Sequence, residues 1–158
     1  RGLVEVQQNR DCDTSRYTHL DPKAKSQKDG GCDGGASRAV LRLCLQGEVQ
    51  PIIGVALFAE MEDVLSREDL FRNSKLTTAE RQDLFAAFLG VTQWVPIYYT
   101  WRPNLRDEAD NHVVDLAIAG NAEYIITQNI RDFASMDLKF PALTLATAAT
   151  FMETWRKE

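Results

Sequence analysis

No apolar run in this sequence approaches the roughly 18 to 20 residues that a membrane span requires, and no charged-then-apolar leader opens it. A soluble, cytoplasmic protein with no membrane partner is expected. Cysteine is scarce: Cys12, Cys32 and Cys44 are odd in number and lack metal-ligand spacing, and Cys44 falls inside an apolar helical pattern. A disulfide framework is therefore not expected. The only histidines, His19 and His112, stand apart, and a lone histidine is more often structural than chemical. No glycine-rich loop opens a helix and no serine occupies a nucleophile elbow, which argues against the usual forms of phosphate cradling and acyl transfer. An excess of positive charge is also missing. The net charge of −5 argues against a protein that holds nucleic acid by bulk attraction, so any such contact must be local. An acidic protein can still cut phosphodiesters where divalent cations offset its carboxylates.

What is present suits one globular domain: 158 residues, 44% hydrophobic and 26% charged. Residues 1–34 differ from the rest. Apart from Leu3-Val4-Glu5-Val6 they follow neither a helical nor a strand period, and they are crowded with Asp, Lys, Gln, Ser and Gly. They read as an irregular segment, and the start at Arg1 rather than a methionine reads as a tag, a trimmed start or a misread frame. Residues 35–158 read as the folded domain.

From Gly35 helical patterns alternate with short apolar ones. The expected order is a helix over Ala36–Gln46 stopped by Gly47, a strand over Pro51–Gly54 and a helix over Ala56–Leu65. In the last of these, Leu57, Phe58, Met61, Val64 and Leu65 form the inward stripe. Thr77 with Glu80 is a capping box that opens a helix to about Leu89, with Leu84, Phe85, Phe88 and Leu89 inward. Pro96 limits Trp94–Tyr99 to an edge strand or an irregular extended segment. A helix over Asp110–Ala119, a buried strand over Tyr124–Thr127, a short strand over Leu143–Leu145 and a helix over Thr147–Arg156 complete the order. Such alternation predicts an α/β fold with a central parallel sheet covered by helices on both faces.

Three acidic positions stand out. Asp110 lies at the centre of the stripe that Val113, Val114, Ala117 and Ile118 define, so its carboxylate points inward. There it must meet hydrogen-bond donors, a basic partner or a metal, or else lie against the helix N-terminus. Asp115 falls well off that stripe and reads as a solvated helix residue. Glu60 and Glu62 flank the Leu57, Met61, Val64 stripe at similar angles, and periodicity does not choose between them. Asp132 belongs to Thr127-Gln128-Asn129-Ile130-Arg131-Asp132-Phe133, which leaves the carboxyl end of a buried strand, where open parallel sheets place ligands. The alternative there is a loop in which Asn129 or Asp132 caps the next turn. Carboxylates from separate elements are the donor set of a hard cation such as Mg²⁺ or Mn²⁺, which can activate water and offset phosphate charge.

The run from Asp107-Glu108-Ala109-Asp110-Asn111 through Ala119-Gly120-Asn121-Ala122 to Thr127-Gln128-Asn129-Ile130-Arg131-Asp132-Phe133 resembles the C-terminal half of PIN-domain toxins of type II toxin–antitoxin systems (VapC-like). Gly35-Ala36-Ser37-Arg38-Ala39-Val40 and Ala56-Leu57-Phe58-Ala59-Glu60-Met61-Glu62-Asp63-Val64-Leu65 support the resemblance, as does Leu143-Thr144-Leu145 before the last helix. It implies a PIN-like domain whose acidic residues bind Mg²⁺ or Mn²⁺ at one end of a parallel sheet and hydrolyse single-stranded RNA. Carried over by position, Glu60 matches the second acidic motif, Asp110 the third and Asp132 the variable fourth, with Asn129 beside it. The resemblance also implies a cognate antitoxin that inserts a segment near the site, and a homo-oligomer formed through helices. The first motif of the family follows an apolar strand. Asp13-Thr14-Ser15 has its letters and makes Asp13 the candidate leading ligand, but neither Gln7–Cys12 before it nor Arg16–His19 after it follows the pattern. That departure leaves a second expectation: an inactive PIN-like binding module without an intact first ligand motif and without the central strand.

Overall fold

The computed structural model describes residues 2–6, 34–72, 74–101, 105 and 110–157, the first group by its backbone. Strands β1 (Gly2–Val6), β2 (Gln50–Ile53), β3 (Gln93–Trp94), β4 (Ala122–Thr127) and β5 (Thr144–Ala146) form one sheet in the order β3-β2-β1-β4-β5. All their pairings are parallel. The helices among the described residues are α1 (Gly34–Leu45), α2 (Val55–Ser66), α3 (Thr78–Val91), α4 (Asn111–Ala119), α5 (Ile130–Ala134) and α6 (Ala148–Trp155), with a 3-10 turn at Glu68–Phe71. None of them is long and apolar enough to cross a membrane.

The middle strand corrects one expectation. Gly2–Val6 lies within the span 1–34 that the sequence sets apart, yet it pairs with β2 at Gly2 and Leu3 and with β4 through Val6, opposite Thr127. A central strand is therefore present. Leu3–Val6 stands alone beside a long polar, aperiodic stretch of sequence, and the two neighbouring strands identify it as the middle of the sheet. From β1 the chain fills one side of the sheet with β2 and β3, then the other with β4 and β5. The order reverses between β1 and β4, and in open parallel sheets the crevice at the carboxyl ends of such a pair receives ligands.

Local chemistry sets the helix boundaries. Gly47 ends α1 in the left-handed region at φ 75°, with its N–H donating to the Cys44 carbonyl at 3.0 Å and the Glu48 N–H donating to the Leu43 carbonyl at 3.0 Å. This is the Schellman arrangement, which satisfies carbonyls that the helix leaves over. At the start of α3 the capping box forms as expected: the Glu80 N–H donates to Thr77 Oγ1, while the Thr77 N–H donates to the Glu80 carboxylate at 2.8 Å. That backbone bond, then the bond from the Thr77 hydroxyl, lowers the pKa of Glu80. A carboxyl lowered in the folded state stabilises above its unfolded pKa and loses that contribution as pH falls through the folded value. The pH dependence of unfolding is therefore expected to weaken at acid pH in Glu80→Gln relative to the parent, as checked by urea melts across the carboxylate range.

The core joins elements that the sequence lists separately. Ile125 of β4 packs in a cluster with Val113, Val114, Leu116 and Ala117 of α4, Ile52 and Ile53 of β2, and Phe133 of α5. The next residue, Ile126, belongs to a second cluster with Val40 and Cys44 of α1 and with Ala148 and Phe151 of α6. The Phe151 ring meets Tyr124 edge-on at 5.1 Å and stacks on Trp155 at 5.8 Å, which accounts for the four-residue spacing in α6. In α2, Leu57 is buried and Phe58, Met61 and Leu65 are half-buried, but Val64 is exposed, because little packs against the end of that stripe. β3 is an edge strand of two residues. Past it, Pro96 lacks the donor a longer ladder needs, and the chain runs on without regular structure to Trp101.

Candidate functional site

α4 leads through Gly120 and Asn121 directly into β4 and runs antiparallel to the strands. The packing fixes that direction: a Cβ on Gly120 would fall 2.5 Å from Ile52 Cδ1, and one on Gly54 would fall 3.2 Å from Leu116 Cδ1. The head of α4 therefore rises toward the carboxyl edge of the sheet. α2 leaves that same edge, beginning at Val55 immediately after β2.

Asp110 occupies the N-cap position of α4 and is 1% exposed. Its side chain makes no capping hydrogen bond. Two residues on, His112 Nε2 lies 3.2 Å from Glu60 Oε2. Of the two glutamates that periodicity left equivalent, Glu60 is half-buried against α4 and Glu62 is exposed. The structure thus brings Glu60 to the first turn of the helix that carries Asp110. His112, set aside in the sequence as a lone histidine, is the link. Nothing in its own helix marks it, since the contact depends on how α2 and α4 cross.

Asp132 lies in α5, beyond the carboxyl end of β4, and is exposed. The Asn129 side-chain amide donates to its carboxylate, and the Asn129 backbone N–H donates to Thr127 Oγ1 at 3.0 Å. Asn129 stands at the N-cap of α5 without a capping side-chain bond. The segment is thus a short helix whose two polar side chains hold each other. Asp13 lies outside the described residues. Among the described residues no group of three or more His, Cys, Asp or Glu side chains is placed to hold a metal ion. The donors present are nevertheless carboxylate oxygens, the type a hard divalent cation takes.

Asp115 corrects the reading of α4 as a helix with one buried stripe. It is 2% exposed, and its Oδ1 accepts the Trp101 N–H at 2.7 Å. Asn111 is likewise buried, and its Oδ1 accepts the Leu105 N–H at 2.9 Å. The segment that follows β3 is tied by these bonds to the side of α4 that a single-stripe pattern leaves to solvent. Asp115→Ala is expected to lower the unfolding free energy by about 1–3 kcal/mol by leaving that N–H without its acceptor. Urea denaturation measures the loss, and a change within error would mean the bond is not held in solution.

The profile of the PIN domain family matches residues 26–131, more than half of the chain, a span that holds both Glu60 and Asp110. No curated protein and no solved structure matches the chain. PIN domains are generally nucleases, and those nucleases typically use divalent metals. The parallel sheet, its reversal between β1 and β4, the buried Asp110 at the carboxyl edge and the family match agree: this chain belongs to the PIN domain family.

Proposed function

We propose that the protein is a divalent-metal-dependent endoribonuclease that hydrolyses single-stranded RNA and serves as the toxin of a toxin–antitoxin pair. The observation that carries the reading is the buried Asp110 at the head of α4, beside the Glu60–His112 pair, in a chain of a nuclease family. Glu60 and Asp110 supply the oxygen donors, His112 holds the Glu60 carboxylate in place, and Asn129 orients Asp132 at the rim. Asp13 is the remaining candidate donor. When bound, Mg²⁺ or Mn²⁺ supplies positive charge against the scissile phosphate and lowers the pKa of water. Helices on both faces of the sheet complete the PIN-like architecture in this reading. The toxin role carries with it a cytoplasmic location, a cognate antitoxin that occupies the site, and self-association.

A second reading, an inactive binding module, is favoured by a sequence around Asp13 that departs from the family pattern and by a family match that begins at residue 26. Calorimetric titration of Mn²⁺ into the chain, with RNA cleavage read on the same samples, separates the two. Binding with metal-dependent cleavage is expected. Absence of both would leave the binding module.

A further inference from the structure

Around α4 from Asp110 lies an open cavity of about 470 Å³. It is walled by Trp94, Tyr98, Tyr99 and Trp101 on one side and by Asp115 and Asn121 on the other. Asp115 is five residues beyond Asp110, roughly 7.5 Å along the helix axis and about 140° around it. The cavity is thus a surface separate from the acidic head of α4, although both are built on the same short helix.

Its aromatic wall is held in place at both ends. The Trp94 ring rests on Phe58 at 5.3 Å, and the Trp101 ring meets Phe140 edge-on at 5.8 Å. The bond from the Trp101 N–H to Asp115 pins the backbone between them to α4. Between these anchors Tyr98 and Tyr99 are 83% and 81% exposed. Four large rings within eight residues, held at a cavity rather than folded into the core, form the kind of surface that marks a binding site.

We propose that this cavity receives a nucleobase of single-stranded RNA, stacked on Tyr98 and Tyr99. The proposal rests on the ribonuclease reading and adds a base-binding subsite to it. Charge decides which part of the RNA enters. The Asp115 carboxylate lies in the wall and disfavours phosphate there, whereas a neutral base ring meets no such repulsion. The chain as a whole carries −5, so attraction for the phosphate backbone is weak and affinity must come from contacts that do not depend on charge. Stacking of bases on aromatic side chains is such a contact, and it is sequence-tolerant because every base has a π-face.

The test compares binding of a labelled oligoadenylate with an abasic ribose-phosphate oligomer of the same length, in EDTA to prevent cleavage. It uses the full chain, Tyr98→Ala/Tyr99→Ala and Tyr98→Phe/Tyr99→Phe. The parent and the Phe variant are expected to prefer the base-bearing strand by roughly tenfold or more, and the Ala variant to lose that preference. Equal affinity for both oligomers in the parent overturns the subsite, as does an Ala variant that binds like the parent. A change confined to self-association in sedimentation also overturns it, by showing that the rings face another protein chain. Mn²⁺-dependent cleavage is measured separately. Cleavage without base preference sinks the subsite alone, and base preference without cleavage sinks the nuclease reading alone.

Discussion

Asp110→Asn is expected to reduce Mn²⁺-dependent RNA cleavage by roughly a hundredfold or more, which corresponds to about 3 kcal/mol of lost transition-state stabilisation. Asparagine keeps the volume of the side chain and one acceptor oxygen but removes the charge that a divalent cation requires. Asparagine fills the same buried volume at a position that is 1% exposed, so the apo variant is expected to stay folded, and its melting temperature in EDTA is measured beside the parent's. Saturating Mn²⁺ should raise the melting temperature of the parent and leave that of the variant unmoved, since a ligand that binds only the native state stabilises it by mass action. A variant that cuts RNA as fast as the parent would remove Asp110 from the site. One that merely unfolds in EDTA would show a structural role instead.

The largest effect on stability is expected from Phe133→Ala, a loss of about 3–5 kcal/mol. Phe133 is fully buried in α5, and its cluster includes Ile125 of β4 and the inner face of α4. Truncation removes the ring and leaves a cavity among elements that a well-packed interior cannot bring together without strain. The ring also has a positional role. It anchors the helix that carries Asp132, one residue earlier and exposed, so the variant should weaken the hold on Asn129 and Asp132 as well as on the core. Urea unfolding with an unchanged m-value would report the loss as one of stability. A shift below about 1 kcal/mol, far less than the loss of a buried ring costs, would place Phe133 outside the native packing.

These two residues also mark how far the sequence could be read. Asp110 was legible because Val113, Val114, Ala117 and Ile118 define a stripe and the carboxylate falls at its centre. Phe133 was not, because Ile130–Ala134 is too short for a period, and the polar run before it reads equally well as a loop. The capping box at Thr77 and Glu80 and the stop at Gly47 were legible for a different reason: both depend on bonds within a few residues of chain. Periodicity narrowed Glu60 to a pair with Glu62 and only the family resemblance chose it, because the geometric choice depends on the neighbour it meets.

By itself the sequence determined the alternation of helices and short strands, most of their boundaries, the inward carboxylate of Asp110 and the resemblance to a PIN domain. Each of these is a local property, set by side-chain period, by caps and breakers, or by a contiguous run of residues. Only the tertiary structure decided that Gly2–Val6 is the middle strand, that Glu60 meets His112, and that Asp115 is buried under the segment ending at Trp101. These depend on pairings between segments far apart in the chain. A helix packed on one side leaves a single stripe in its sequence, whereas α4, enclosed on a second side by a loop, buries polar residues that no single-face pattern selects.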